Sequence, residues 1–377
     1  MKLVLFLLSF TLFTTIAQAQ YEDDNVTIHS NRKAKDPFKS NKETDSSRDG
    51  RFKTIHLTDF SLNDKMPSAM EISGIQIINA VSDSSVLGYV QVGTFNRWMQ
   101  AQPDKPYTQY LQTYVNRRYG PIYKQGAAQL IWVIQELRIN ERTFSMSEKG
   151  FLHLKAMAFS GNGTFKLITQ LDTILVKGGM DVTSKHGDNI GDALQILLEQ
   201  SLTKQGEGPA YSLSEIQEKA VQRYQKPALQ SKEHVDGIYL TFENFMNDQP
   251  SFNNVEYTLD HNNVRFYYTD SSGKKTFVDK FWGVRKKGLL LKQHNDLLIP
   301  IQQMQNGIAL SDYLPLARRK NNTILLGAAG GGLIGAALAD KGAAENGTLP
   351  AVENIPYLKK RPPLATSVDI ETGEFTL

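Results

Sequence analysis

The chain has no cysteine. That excludes a disulfide framework, a thiol nucleophile and any thiolate metal site. It also excludes a lipid anchor carried by cysteine at an export cleavage site. Charge of one sign is not in excess: Lys and Arg number 42, Asp and Glu 39, and the formal net charge is +3 at pH 7. A nucleic-acid partner, which needs a basic surplus, is therefore not expected. The histidines are scattered and form no H-E-x-x-H or H-x-H pair. There is no G-x-S-x-G elbow and no P-loop. No cofactor and no metal are expected.

What is present begins with MKLVLFLLSFTLFTTIAQAQ. One early cation (Lys2), an apolar run from Leu3 to Ile16 and small residues at Ala17 and Ala19 predict a signal peptide over residues 1–19. Export without cysteine points to the periplasm or outer envelope of a Gram-negative cell. Cytosolic nucleotide chemistry becomes improbable there. Residues 20–50 are almost all polar or charged, which predicts a disordered linker.

Residues 51–205 are expected to form a first domain. FKTIHLTDF and SVLGYVQVGTF read as strands. PYTQYLQTYVNRR sets Tyr107, Tyr110, Leu111, Tyr114 and Val115 on one helical face. QLIWVIQELRI is apolar on both faces, as a central strand is. FLHLKAMAFSG and TFKLITQLDTILVK flank Gly161-Asn162-Gly163, a hairpin signal. A second helix follows, with Ile190, Ala193, Leu194, Leu197 and Leu198 on its stripe. Asp188 is expected as its N-cap and Asp192 in its first turn. The order predicts an α+β fold, an antiparallel sheet with helices on one face. That order is similar to small sheet-and-helix domains of envelope accessory proteins, such as the auxiliary components of ABC-type transport systems.

Residues 206–234 read as a helical connector with a capping box from Ser212 to Glu215. Residues 235–315 alternate short apolar runs with tight polar turns, which predicts a small all-β meander. Its aromatics, Phe242, Phe245, Tyr257, Phe266, Tyr267, Tyr268, Phe281 and Trp282, are expected in its core. Consecutive Phe266, Tyr267 and Tyr268 alternate between faces, so one of them turns away from the other two.

Residues 316–342 contain TILLGAAGGGLIGAALAD. Gly330 to Gly335 fit G-x-G-x-x-G, but no second strand follows, and a dinucleotide fold needs one. A different spacing is more telling. Gly327, Gly331 and Gly335 recur every four residues and line one face of a C-terminal Gly/Ala-rich helix, open to close approach by another helix. Arg318, Arg319 and Lys320 precede it, placed to meet anionic headgroups. The run from Ile324 to Ala339 gives about 24 Å of helix, short of a hydrocarbon core of about 30 Å. The segment resembles the glycine zippers of Gram-negative exported envelope proteins. That resemblance implies contact with a membrane or with a second copy of the chain. Residues 343–377 read as an extended tail, with a terminal hairpin around Glu371-Thr372-Gly373 that adds to a sheet edge, its own or a partner's.

The densest polar cluster is DVTSKHGDN. Asp181, His186 and Asp188 could converge as base and orienter or as hard-metal ligands; the plainer reading is a polar turn. Glu243, Asp248, Asp260 and Asp279 follow in the meander without a catalytic pairing. The expected function is therefore that of an exported, non-enzymatic envelope protein. It binds an envelope protein or polymer and associates with membrane or itself through the zipper. One alternative is a periplasmic hydrolase of carbohydrate or peptide built on the Asp181, His186 and Asp188 cluster. Another is a soluble glycan- or peptide-binding module. A cleft at His186 favours the hydrolase; an exposed aromatic strip on the meander favours glycan binding.

Overall fold

The structure, a computed structural model, describes residues 52–57, 71–92, 97–144, 147–231, 234–260, 263–295, 297–310, 350–353, 355, 358 and 362–377. The fold is α+β, dominated by strands in three sheets. The expected Gly/Ala-rich helix, with Gly327, Gly331, Gly335 and the Arg318-Arg319-Lys320 triplet, lies outside the described residues.

The first sheet runs β1 (Phe52–Ile55), β4 (Arg97–Pro103), β3 (Gly88–Val92), β5 (Ala128–Phe144), β6 (Ser147–Asn162), β7 (Thr164–Gly179) and β8 (Glu207–Tyr211), with β2 (Ile72–Asn79) also on β5. It is mixed rather than antiparallel. β1 pairs parallel with β4, and β2 pairs parallel with β5 over its full length. Parallel neighbours need a long crossover, and β3, β4 and helix α1 (Tyr107–Tyr119) supply it between β2 and β5. The expected hairpin of β6 and β7 forms, with Gly163 at φ +81° in its turn.

β5 is central and buried on both faces. Leu130, Trp132 and Ile134 point to a near face with Leu152, Leu154, Ala156 and Ala158 of β6. Helices α1 and α2 (His186–Thr203) cover that face with the apolar stripes read from the sequence. The two helices touch at Gly191, where an added Cβ would stand 2.5 Å from the Tyr114 hydroxyl. A bulge between Ile134 and Glu136 then shifts the phase of β5 by one residue. Beyond it the near face takes Leu137 and Ile139. The far face receives polar residues that include Glu136, Arg138 and Asn140.

The helices are not confined to one face. Helix α3 (Leu213–Gln222) starts with the expected Ser212–Glu215 capping box. It packs Ile216 and Ala220 on the far face, against Ile131, Val133, Phe159 and Phe165. Those four residues give both faces of the sheet an apolar surface, so both need cover. Helix α4 (Pro227–Gln230) leads into β9 (Gly237–Tyr239) and helix α5 (Phe242–Met246).

A three-stranded sheet follows, of β10 (Glu256–Asp260), β11 (Asn263–Thr269) and β12 (Lys275–Val278). The second large sheet adds β13 (Gly283–Lys286), β14 (Leu289–His294), β15 (Leu297–Met304) and β16 (Gly307–Leu310) to β9 as an antiparallel meander. Its far edge is the terminal hairpin, β17 (Ser367–Val368) and β18 (Phe375–Thr376), paired to β16. The tail thus adds to its own sheet. One core joins this sheet to what precedes it: Tyr239, Trp282, Ile299, Val368 and Phe375 cluster with Phe151, Tyr224 and Leu229.

Candidate functional site

The polar cluster at the start of α2 comes apart. Asp181 is exposed, and its Oδ1 accepts the Thr183 N–H at 3.0 Å, opening a 3-10 turn over Thr183–Lys185. The helix begins at His186, three residues earlier than an Asp188 cap would place it. Lys185 holds the cap position without a side-chain cap, and Asp188 falls inside the first turn. Asp192 is a turn further on and pairs with Lys177 at 2.6 Å.

His186 turns inward. Its Nε2 lies 2.8 Å from Glu141 Oε1, and the two side chains are 1% and 0% exposed. Glu141 Oε2 accepts the Gln91 N–H at 2.6 Å. Thr143 donates to Gln91 Oε1 at 2.6 Å. Glu148 closes the cluster by accepting the Val182 N–H at 3.1 Å, and burial raises its pKa. No hydrogen bond joins Asp181, His186 and Asp188 among the described residues, and no group of three His, Asp or Glu side chains there could hold a metal. A base so enclosed cannot touch a substrate. The arrangement staples β3, β5 and α2 together.

A second polar network lies where the terminal hairpin meets the far face. Its placement follows from the β5 bulge. Asn140 Nδ2 donates to the Leu364 carbonyl at 2.8 Å, and Arg142 donates to that of Pro362. Lys155 pairs with Asp369 at 3.3 Å and with Glu371, which also pairs with Arg223 at 3.1 Å. His153 Nε2 meets Asp172 at 2.7 Å, and its Nδ1 meets the Thr376 hydroxyl at 3.2 Å. Trp282 Nε1 donates to the Gly373 carbonyl at 3.1 Å.

The stability of this clasp is expected to depend on pH. Burial alone would lower the pKa of His153, but the Asp172 hydrogen bond and the charges of Glu136, Asp172 and Asp369 outweigh it, and the net shift is upward. The hydrogen bond from His153 lowers Asp172. Burial opposes ionisation of Asp369, yet Lys155 and the Thr372 and Glu371 N–H groups hold its pKa down. The lowered carboxylates stabilise the fold above about pH 4, and their contribution is lost as pH falls through their folded values. The raised imidazole stabilises it below about pH 6.5, and that contribution is lost as pH rises through its folded value. Urea midpoints are expected to be highest between those limits. In Asp172→Asn the decline above about pH 6.5 flattens. An unchanged alkaline slope in that variant would show that the decline does not come from the His153–Asp172 pair.

The third feature faces outward. In the small sheet, Tyr257, Phe266, Val264 and Val278 turn toward a core with Ile238, Val255, Val284 and Leu291. Phe252 stacks on Tyr268 on that side, with ring centroids 4.3 Å apart. Alternation sends Tyr267 and Phe277, cross-strand partners, to the opposite face. Their centroids are 5.5 Å apart, and Phe277 is 40% exposed. Arg265 rests over the Phe277 ring at 4.4 Å, and Lys275 over the Tyr267 ring at 4.6 Å. The turn that sets this register is held by Asp270, whose Oδ1 accepts the Ser272 and Lys274 N–H groups at 2.9 and 3.0 Å.

No family model, curated protein or solved structure matches this chain.

Sequence alternation left one of Phe266, Tyr267 and Tyr268 facing away without saying which; it is Tyr267, which leaves the core expected of it, and Phe277, Arg265 and Lys275 were not singled out. The i, i+2 spacing of Arg265 with Tyr267 and of Lys275 with Phe277 carried the signal; pairing it needed the turn register. In the basic run Arg285-Lys286-Lys287, two of the three cations have acidic partners. Arg285 pairs with Asp236 at 3.6 Å and Lys286 with Glu256 at 3.1 Å, while the Lys287 N–H bonds Asp236 at 2.9 Å. No helix among the described residues is long and apolar enough to cross a membrane.

Proposed function

We propose that the chain is an exported, non-enzymatic envelope protein that binds a glycan polymer of the envelope through the outer face of β10–β12. The observation that carries this reading is the Tyr267–Phe277 pair, turned away from a core that already holds the other rings of that sheet. An exposed apolar surface bordered by hydrogen-bonding side chains suits a sugar, whose rings offer C–H faces and hydroxyls together. The buried position of His186 favours binding over hydrolysis. Residues 316–342 tether the protein to a membrane or to a second copy through Gly327, Gly331 and Gly335, as their spacing suggests.

In a plate assay with isolated cell-envelope polysaccharide, the Tyr267→Ala, Phe277→Ala double variant is expected to bind at least about tenfold more weakly, a loss of about 1.4 kcal/mol or more. Its urea midpoint is expected to stay close to the parent's, since the rings are not core. Equal binding by the two proteins sinks the reading. Cell fractionation tests the tether: leucine at Gly331 and Gly335 is expected to move the protein out of the membrane fraction, and unaltered partition argues against the zipper.

A further inference from the structure

We propose that the polymer held by β10–β12 is acidic, a polysaccharide with carboxylate groups on its sugar rings. This rests on the glycan-binding reading above and names the chemistry of its ligand. Two cations are set around the rings. Arg265 and Tyr267 share the outer face of β11, and Lys275 and Phe277 share that of β12. The strands are antiparallel, with Tyr267 opposite Phe277 and Thr269 opposite Lys275. The two cations therefore fall on opposite sides of the ring pair along the strand axis. From Arg265 to the level of Lys275 is four residues, about 13 Å. By backbone position the order along the face is cation, two rings, cation, and each cationic head leans onto the ring of the other strand.

Both cations are positioned before any ligand arrives, Arg265 against Phe277 and Lys275 against Tyr267, with Lys275 Nζ also 3.3 Å from the Tyr267 hydroxyl. Stacking on a ring limits the freedom each long side chain would otherwise lose on binding. Asp279 Oδ1 takes one guanidinium nitrogen of Arg265, at 3.4 Å, from a guanidinium with five N–H groups.

One cation at each end suits a singly charged group at each end. A phosphate dianion is better held by several donors gathered at one point. Asp279 beside Arg265 also opposes a doubly charged group more than a carboxylate. A linear polyuronide meets these terms, with a sugar over the ring pair and acid groups reaching Arg265 and Lys275.

The test measures binding of the full chain to immobilised polygalacturonate, neutral dextran and polyglutamate, at low and high salt. Polygalacturonate is expected to bind at least about tenfold more tightly than dextran and to weaken as salt rises. Arg265→Gln and Lys275→Gln are each expected to weaken polygalacturonate binding several-fold and to reduce its salt dependence. Tyr267→Ala is expected to weaken polygalacturonate and dextran alike. Equal binding of polygalacturonate and dextran overturns the acidic assignment and leaves the glycan reading intact. Failure to bind either overturns both. Polyglutamate bound as tightly as polygalacturonate shows a surface that reads charge alone, and overturns the sugar assignment.

Discussion

Replacing Glu141 by alanine is expected to lower the unfolding free energy by about 3–5 kcal/mol. The carboxylate serves two buried partners, His186 through Oε1 at 2.8 Å and the Gln91 N–H through Oε2 at 2.6 Å. Both sit where water does not reach, so removing the acceptor leaves each without a replacement. The loss spreads across three elements, because His186 starts α2, Gln91 belongs to β3 and Glu141 to β5. Urea unfolding is the measurement, read as a fall in midpoint at unchanged slope. Glu141→Gln, which keeps an acceptor of the same reach, is expected to lose less. A cost under about 1 kcal/mol for alanine would mean that water enters and replaces the carboxylate.

Much of the near side of the first sheet was legible in the sequence. The stripes of α1 and α2 have strong helical periods, and the residues the period selects are all buried, although α2 also buries His186, Asn189 and Ser201. Gly163 marks the β6–β7 turn because only a residue tolerant of positive φ fits there. The terminal hairpin was legible for the same reason, with Gly373 at φ +74°. Three things were not. The strand β2, ISGIQIIN, has no clean alternation because both its faces are covered, and its parallel partner lies far along the chain. The β5 bulge leaves no residue signature, yet it decides that Glu136, Arg138 and Asn140 face the clasp while Glu141 faces His186. The staple joins residues 45 positions apart, so the neighbours of His186 in sequence were the wrong place to look for its partner. Local signals set the elements, and contacts between distant strands set the chemistry.

Gly88→Ala is expected to be the other large loss, about 3 kcal/mol or more. The residue sits at φ +134°, a conformation that residues with a Cβ rarely adopt. An added Cβ would stand far inside van der Waals contact with the Ile139 carbonyl oxygen, and the Ile139 carbonyl carbon and backbone nitrogen lie close behind it at 2.9 Å. Backbone cannot step aside as a flexible side chain can. The strands are pinned on both flanks, by Leu87 N–H to the Ala101 carbonyl and by Ile139 N–H to the Leu87 carbonyl, each at 2.7 Å. Relief would have to separate β3 from β5, and Gly88 opposite Ile139 is their single paired position. The same separation would pull Gln91 from Glu141, so the two losses are coupled and a double variant is expected to lose less than their sum. Gly74→Ala is the matched control. That glycine also lies in a strand of this sheet, but nothing stands within 4 Å of the added carbon, and its change is expected to be near neutral. Urea midpoints of the two variants separate backbone crowding from strand propensity, and soluble yield against the control replaces them if Gly88→Ala does not accumulate. Equal behaviour of the two would mean that β3 and β5 approach less closely at Gly88 than the register requires.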